Sequence, residues 1–352
     1  MRRCQIDKVS SVTLRLELDR AAVLGEEIPA VAGTVVAGRI VNAKTTYNTL
    51  EDVHGRMVAL HPGDVIVGAL GHRDALYGFS GQVPASVKPG DKLQLLNLGG
   101  VIGSGAEPVP GLGEPFSLEV LGSVLQFPYL DCRVGVPANI ADGALQPRPL
   151  PSALPPVLAL VGTCMDAGKT TAASVVIGEL TRAGMRVAAG KLTGVSLRRD
   201  VLQMADCGAE PVAIFTDFGI VTTNEQNAVP AAHALVSHLA ESEPDVIVLE
   251  LGDGLMGTYG VHSLLSDEGF RRSIRSILLC AQDPVGAWGG QQILGERYGL
   301  KADAVSGRVT DTPVGLRFCR ERLGVPAWNA LRHGPQLAST LREKLLAAGV
   351  AQ

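Results

Sequence analysis

The run GTCMDAGKTT at residues 162–171 has the residue types of a phosphate-binding loop. The apolar run VLALVG (157–162) predicts a buried strand, and KTTAASVVIGEL predicts a helix that begins at the lysine. Such a strand–loop–helix unit directs backbone N–H groups and the positive end of the helix dipole at one point, which favours phosphate. Lys169 would add a positive charge, and the Thr170 hydroxyl would bind Mg²⁺.

Five residues separate the two glycines of this loop, whereas the common P-loop signature has four. The alternative is a strand-to-helix turn that binds nothing, but the order Gly-Lys-Thr-Thr at the end of an apolar strand favours a phosphate site. Asp166 has a second alternative of its own, as a loop residue that faces solvent. The predicted nucleotide contacts in the loop are Gly162, Thr163, Asp166, Ala167, Gly168, Lys169, Thr170 and Thr171.

The spacing of this loop resembles the P-loop of dethiobiotin synthetase and its amide-forming and metallocentre-maturing relatives. In that family the next strand ends in a lysine before a Gly/Ser turn, and VAAGKLTGVS (187–196) places Lys191 there. The following strand of the family ends in Glu-Gly-x-Gly, and DVIVLELGDGLMG (245–257) provides Glu250, with Leu251 where the family has glycine. The run ELGDGLMGTYG also resembles a P-loop family that includes D-amino-acid N-acetyltransferases. The resemblance covers roughly residues 156–315.

The predicted chemistry at these strand ends is phosphoryl transfer. Lys169 and Lys191 should both approach a γ-phosphate and stabilise its charge during transfer. Glu250 should bind Mg²⁺ with Thr170, and Asp200 is a further candidate metal ligand. We therefore predict Lys169, Lys191 and Glu250 as the catalytic residues.

The nucleobase is predicted to contact the run SGRVTDTPVG (306–315). In the dethiobiotin-like fold this region closes over the base, so the resemblance implies that Arg308, Thr310 and Asp311 contact adenine. An aspartate would instead suit guanine, and the sequence leaves both nucleotides open.

Substrate-binding candidates come from two places in the chain. Arg198, after the Lys191 turn, could bind a carboxylate, with Ser196 beside it, although adjacent arginines are as often plain surface. The run ALGHRDALYGFSG (69–81) combines polar and aromatic side chains with glycines that allow close approach of a ligand. A tight turn with a structural histidine is the alternative there. The candidates in this run are His72, Arg73, Tyr77 and Ser80.

The chain changes character near residue 145. Before it, short β-rich runs such as VTLRLEL, GTVVAGRIV and DVIVGAL are separated by turns that include HPGD (61–64) and KPGD (88–91). After the proline-rich run QPRPLPSALPP (146–156), apolar strands alternate with helices, which indicates a parallel sheet. We predict an α/β protein with a C-terminal P-loop NTPase domain (157–352) and a mainly parallel sheet. A small all-β barrel or sandwich (1–145) and a linker (146–156) precede it.

Composition narrows the class of partner. The 352 residues include 46% hydrophobic and 19% charged residues, with a formal net charge of −4. Such a balance provides no basic surface for nucleic acid or anionic membranes, and no apolar run reaches the length of a membrane span. The six cysteines lie far apart, without zinc-ligand or paired spacing. We expect a cytoplasmic protein with reduced thiols that binds a small-molecule substrate and forms a homo-oligomer such as a dimer.

Three functional classes fit these observations. The first is an enzyme dependent on ATP and Mg²⁺ that activates a carboxylate or related oxyanion of a small metabolite, such as an amino acid, for amide ligation. The second is an N-acyltransferase in which the P-loop binds the phosphates of acetyl-CoA. The third is a nucleotide-switched maturation factor. Lys191 and Glu250 favour the first class, because a γ-phosphate and Mg²⁺ need them and the phosphates of coenzyme A do not.

Overall fold

The computed structural model describes residues 1–129 and 131–347, so the last five residues of the predicted P-loop region lie outside the described residues. The chain forms two compact units. The first contains Met1–Leu145 together with the segments Val195–Arg199 and Thr216–Thr222. The second contains Gln146–Gly194, Asp200–Phe215 and the chain from Thr223 onward. Two segments that follow strands of the P-loop region in sequence are therefore built into the first unit.

The first unit is a small β barrel. Five of its strands form a closed ring in the order β10, β4, β7, β9, β8 and back to β10, while β1, β2, β3 and β11 extend the sheet. A separate hairpin pairs β5 with β6. The strands are β1 (Arg2–Gln5), β2 (Lys8–Val9), β3 (Ala21–Gly25), β4 (Val35–Ile40), β5 (Thr49–Glu51), β6 (Met57–Ala59), β7 (Val65–Leu70), β8 (Lys92–Leu95), β9 (Val101–Gly103), β10 (Phe116–Gln126) and β11 (Val136–Pro137).

Both faces of β4 and β7 are covered, which explains why these two strands are largely apolar without alternation. In β4, Val35 and Ala37 belong to one apolar core, whereas Val36 and Ile40 belong to another. Because side chains alternate between the faces of a strand, neighbouring residues of β4 enter different cores.

The two Pro-Gly-Asp turns have the same local structure. Gly63 and Gly90 adopt left-handed φ angles of 94° and 93°. In each turn the aspartate accepts the N–H of the first residue, at 2.6 Å for Asp64 and 2.9 Å for Asp91. Proline before a left-handed glycine is the residue order of a type II turn.

The strand predicted at VTLRLEL is wrong, because Ser11–Leu16 forms a 3₁₀ helix. Three consecutive residues of this helix are buried, which a strand with one solvent face does not allow. The Val12 N–H donates to the Gly99 carbonyl at 3.1 Å, so a long-range contact replaces a strand ladder. The Glu17 residue then ends the helix in a left-handed conformation, with φ at 48°.

A buried carboxylate holds the Val195–Arg199 segment in the first unit. Glu51 accepts the backbone N–H of Arg198 at 2.8 Å and that of Arg199 at 2.5 Å. The Ser11 hydroxyl donates to the same carboxylate, which is fully buried.

A second buried carboxylate, that of Asp217, acts on the same segment. It accepts hydrogen bonds from the guanidinium groups of Arg198 at 2.7 Å and Arg15 at 2.9 Å.

The rest of the chain is a mixed α/β unit with a six-stranded sheet in the order β14–β13–β15–β12–β16–β17, in which every neighbouring pair is parallel. The strand and helix predicted on either side of the predicted phosphate-binding loop are both present. The elements are β12 (Val157–Gly162), α1 (Lys169–Arg182), β13 (Val187–Thr193), α2 (Arg199–Asp206), β14 (Val212–Ile214), α3 (Ala228–Ala240), β15 (Val246–Leu251), α4 (Val261–Ser266), α5 (Glu268–Ser273), β16 (Ile274–Cys280), α6 (Pro284–Tyr298), β17 (Ala304–Ser306), α7 (Pro313–Arg317) and α8 (Gly334–Ala347).

Every residue of β12, β13 and β15 is buried, including Lys191 near the carboxyl end of β13 and Glu250 near that of β15. Helix α1 buries Ala172, Ala173, Val176, Ile177 and Leu180, which recur at helical spacing. The carboxyl ends of β13 and β15, which carry these charged side chains, are therefore shielded from water.

The proline-rich segment 146–156 belongs to the second unit and contains no helix or strand. The Ser237 hydroxyl donates to the Pro149 carbonyl at 3.0 Å, and the Ile247 N–H donates to the Pro156 carbonyl at 2.9 Å. Within residues 1–129 and 131–347, no helix is long and apolar enough to cross a membrane.

We predict that Glu51→Ala lowers the free energy of unfolding by about 3 kcal/mol, since one buried hydroxyl and two part-buried backbone N–H groups lose their acceptor, and an unsatisfied buried donor costs about 1–3 kcal/mol. Urea denaturation monitored by circular dichroism measures this change. Glu107→Ala, which removes an exposed carboxylate of the same unit, is the matched control. Equal unfolding midpoints for the two variants would contradict the structural role of Glu51.

Candidate functional site

The loop between β12 and α1 presents backbone donors at the start of a helix. Gly168 precedes α1 with a left-handed φ of 94°, and no side chain caps the helix. Among the described residues, the N–H groups of Met165, Asp166 and Gly168 have no hydrogen-bond acceptor. Unpaired donors at a helix N-terminus form a site for an anion.

Lys169 folds back over this loop. Its ammonium group donates to the Cys164 carbonyl at 2.9 Å and to the Asp253 carbonyl. A side chain at Gly162 would place Cβ only 2.7 Å from the Lys169 Nζ, so glycine leaves the room that the lysine needs. The P-loop lysine therefore lies over the predicted phosphate position.

Two neighbouring turns approach the loop backbone to backbone. A Cβ at Gly254, in the turn after β15, would lie 2.6 Å from the Thr163 carbonyl oxygen. A Cβ at Gly307, in the turn after β17, would lie 2.1 Å from the Ala167 carbonyl oxygen. Only glycine permits both approaches, and they place three loops around one position at the carboxyl ends of the strands.

Strand register brings the predicted charged residues together. Lys191 in β13 is the direct neighbour of Glu250 in β15, and the Glu250 Oε1 accepts the Thr170 hydroxyl at 3.2 Å. The Lys191 ammonium pairs with the Asp200 carboxylate. The structure therefore assembles five predicted residues in one place: Lys169, Thr170, Lys191, Asp200 and Glu250.

Glu250 is the electrostatic centre of this cluster. Its side chain is buried, and burial raises the pKa of the Glu250 carboxyl, with a further increase from the negative charge of Asp200. The positive charges of Lys191 and Lys169 and the hydrogen bond from Thr170 oppose that increase. Its Oε2 atom is buried and has no hydrogen-bond partner among the described residues.

The oxygen atoms of this cluster fit Mg²⁺. Mg²⁺ is usually held by one or two protein oxygens, with water and substrate phosphate oxygens completing an octahedron. The unpartnered Glu250 Oε2 and the Thr170 hydroxyl provide such a pair. Within the described ranges, no three His, Cys, Asp or Glu side chains are grouped to hold a metal by themselves. Because Asp200 pairs with Lys191, its role as a ligand stays a prediction.

The region predicted to contact the base lies at the turn after β17. Arg308 and Asp311 are exposed, and the Asp311 Oδ1 accepts the Asn329 side-chain amide at 2.8 Å. Thr310 is buried, and its hydroxyl donates to the Gly307 carbonyl at 2.6 Å. The exposed Asp311 carboxylate is thus oriented by a buried asparagine, whereas Thr310 stabilises the turn.

The predicted substrate residues of the 69–81 run have different environments. Arg73 is buried, and its guanidinium donates to the carbonyls of Phe79 at 3.1 Å, Leu96 at 2.5 Å and Tyr77 at 3.2 Å. The Arg73 N–H groups that donate to these carbonyls stabilise the loop, so these donors do not bind a substrate in this conformation. The Ser80 hydroxyl accepts the Ala75 N–H at 3.0 Å.

His72 and Tyr77 have exposed side chains, and the His72 carbonyl accepts the Thr222 hydroxyl at 2.6 Å. Ser196 is buried, with a hydroxyl that lacks a hydrogen-bond partner in the described part of the chain. The Arg198 guanidinium pairs with Asp217. Substrate binding by these residues stays a prediction.

Three acidic residues that the structure shows to be important were not predicted from the sequence: Glu51 and Asp217, which order the first unit, and Asp253, beside Lys169. Glu51 and Asp217 act on segments distant in the chain, and no local pattern signals that. Asp253 has a signal in retrospect, because it lies between two glycines after the Glu250 strand and adopts a left-handed φ of 69°.

No family model and no curated protein matches this sequence. Similar solved structures include the signal recognition particle receptor FtsY from Elizabethkingia anophelis, 15% identical with a TM-score of 0.39, covering 55% of this chain and 67% of that chain. A DUF1611 family protein from Anabaena variabilis is 14% identical with a TM-score of 0.41, covering 58% and 63%. The signal recognition particle 54 kDa protein from Aeropyrum pernix, in complex with GDP, is 14% identical with a TM-score of 0.34, covering 56% and 51%.

The match thus spans less than two thirds of the length of the last two proteins. The resemblance to dethiobiotin synthetase and to D-amino-acid N-acetyltransferases stays a prediction from the sequence motifs.

We predict that Glu250→Gln raises the free energy of unfolding near neutral pH, since burial raises the pKa of the Glu250 carboxyl and so disfavours the ionised side chain in the folded state. A carboxyl whose pKa is raised on folding favours the folded state below its unfolded pKa, and this contribution is lost as pH rises through the folded pKa. The advantage of the variant should therefore grow with pH above the ordinary range of a glutamate. Urea denaturation at a series of pH values measures it, and a constant difference at all pH values would contradict the prediction.

Proposed function

We propose that the second unit binds a nucleoside triphosphate with Mg²⁺ and transfers its γ-phosphoryl group. The observation that carries this proposal is the buried Glu250 carboxylate, which keeps one oxygen unpartnered beside Thr170 and within the fields of Lys169 and Lys191. The unpartnered Glu250 oxygen suits a divalent cation, and the unpaired N–H groups of the loop suit an anion.

Each part of the site has a role in this reaction. The N–H groups of the loop bind the phosphates, and the two lysines stabilise the charge on the transferring oxygens. Mg²⁺, held by Thr170 and Glu250, would neutralise charge on the phosphate oxygens when bound. Burial strengthens these interactions, because charges in a low-dielectric environment are poorly screened.

We propose ATP as the nucleotide and a carboxylate or related oxyanion of a small metabolite, such as an amino acid, as the acceptor for amide ligation. The loop, Lys191 and Glu250 motifs support this choice through their resemblance to dethiobiotin synthetase. The exposed Asp311 carboxylate would also suit the N–H groups of guanine, so ATP and GTP are both tested below. An acyl-CoA substrate gains no support from the Glu250–Thr170 pair, because its phosphates need no Mg²⁺ for acyl transfer.

We predict that Lys169→Ala weakens nucleotide binding about 10- to 100-fold, since a hydrogen bond to a charged group contributes about 1.5–3 kcal/mol. Isothermal titration with ATP and with GTP, each with Mg²⁺, measures the affinity. Lys301→Ala, which removes an exposed lysine of the same unit, is the control. Circular dichroism verifies that both variants fold, and unchanged affinity in folded Lys169→Ala would refute the phosphate site.

We also predict that Glu250→Gln lowers kcat about 100-fold or more while changing the nucleotide Kd only a few-fold, because the Mg²⁺ charge acts chiefly on the transferring phosphate. Phosphate release from ATP and GTP measures turnover, and titration measures Kd. Equal kinetics in the variant would argue against phosphoryl transfer and in favour of the acyl-CoA alternative.

A further inference from the structure

Asp253 lies beside the P-loop lysine in a left-handed backbone conformation that most residue types other than glycine, asparagine and aspartate avoid. Its φ of 69° is left-handed, a region that glycine adopts without cost and that aspartate tolerates better than most other residues do. Both flanking residues, Gly252 and Gly254, are glycines. Unlike a glycine, the aspartate at this position places a carboxyl group beside Lys169.

The surrounding chain makes room for that carboxyl group. A Cβ at Gly257 would lie only 2.0 Å from the Asp253 Oδ2, so the carboxylate is packed directly against a glycine. The Gly257 N–H donates to the Gly254 carbonyl at 2.9 Å, which closes the turn around the side chain. Together with the Gly254 N–H, which donates a hydrogen bond to the carboxylate, this packing restricts where the carboxylate can lie.

Lys169 contacts Asp253 and is also the side chain predicted to bind the phosphate. The lysine ammonium donates to the Asp253 backbone carbonyl, and its positive charge also acts on the Asp253 carboxylate. The side chain that would contact the γ-phosphate is thus adjacent to a half-buried carboxylate that no ion pair neutralises among the described residues. Glu250, in contrast, accepts a hydrogen bond from the Thr170 hydroxyl and is the proposed Mg²⁺ ligand.

The environment of Asp253 also suits proton transfer. Burial raises the pKa of the Asp253 carboxyl, against the charge of Lys169 and a hydrogen bond from the Gly254 N–H. A general base is most effective when its pKa approaches the working pH, so a raised carboxylate is a better proton acceptor than an ordinary aspartate. Lys169 is the charged side chain that acts on this carboxyl within the described residues.

We propose that the Asp253 carboxylate accepts the proton of the nucleophile that attacks beside Lys169, which makes the attacking substrate a protic one: an amine in the ligation, or water in its absence. This inference rests on the proposed phosphoryl-transfer function. With water, an O–P bond to the γ-phosphorus forms and the bridging P–O bond breaks. The bond's electron pair leaves on the nucleoside diphosphate, and the water proton passes to Asp253. With an amine, the N–C bond to the phosphorylated carboxylate forms, the C–O bond to phosphate breaks, and the amine proton passes to Asp253.

The test is single-turnover hydrolysis of Mg²⁺-ATP and Mg²⁺-GTP, with phosphate release followed across the acidic and neutral pH range. The wild-type rate should rise with pH as Asp253 loses its proton and then level off. Asp253→Asn should bind nucleotide as the wild type does, react about 100-fold more slowly or worse, and lose the part of the rise with pH that Asp253 causes, whereas the part that Glu250 causes remains. Glu243→Gln is the matched control, because Glu243 is an exposed carboxylate of the same unit with a left-handed φ of 48°.

Asp253→Gly separates a chemical role from a structural one. Glycine accepts the left-handed backbone, so this variant should keep or raise the melting temperature while its rate falls as far as that of Asp253→Asn. A wild-type rate and pH profile in Asp253→Asn would overturn the proposal and leave phosphoryl transfer intact. A wild-type protein that binds nucleotide without hydrolysing it would also overturn the base assignment. A wild-type protein that binds neither nucleotide would overturn the proposed function itself.

Discussion

The carboxylate of Glu250 is the group whose burial the rest of the candidate site must accommodate. A carboxylate removed from water loses solvation worth several kcal/mol, and this loss must be offset by nearby positive charges and hydrogen bonds. Lys169, Lys191 and Thr170 provide part of that compensation, but the Oε2 atom remains without a partner among the described residues. A cation bound at Oε2 would lower the remaining desolvation cost of Glu250, and the loop would bind an anion beside it.

The parallel sheet explains why these side chains meet. Lys191 and Glu250 lie in register on adjacent strands, and the P-loop strand is the next neighbour of Glu250 on its other side. Glycines at 162, 254 and 307 then allow a side chain and two turns to approach the loop more closely than any other residue would permit. Asp253 differs from these glycines, since it occupies a left-handed position that a glycine would occupy at lower energy.

The first unit follows the same physical rule with a different outcome. Its buried acidic residues, Glu51 and Asp217, are satisfied by backbone N–H groups, a hydroxyl and guanidinium groups. Fully paired carboxylates of this kind order the chain and leave no open oxygen for a ligand. The contrast with Glu250 distinguishes carboxylates that stabilise the fold from the one that suits a metal.

The sequence alone predicted the strand–loop–helix at 157–182, the parallel strands after it and the grouping of Lys169, Thr170, Lys191 and Glu250, because glycine spacing and apolar runs are local signals. Tertiary structure alone decided that Ser11–Leu16 is a 3₁₀ helix and that Arg73 binds loop carbonyls. It also decided that Val195–Arg199 belongs with the β barrel, and that Asp253 lies beside Lys169. These outcomes depend on partners tens of residues or more away, such as Gly99, Leu96, Glu51 and the P-loop lysine. The free energy of pairing a buried polar group depends on which distant atoms fold against it, and local sequence does not contain that information.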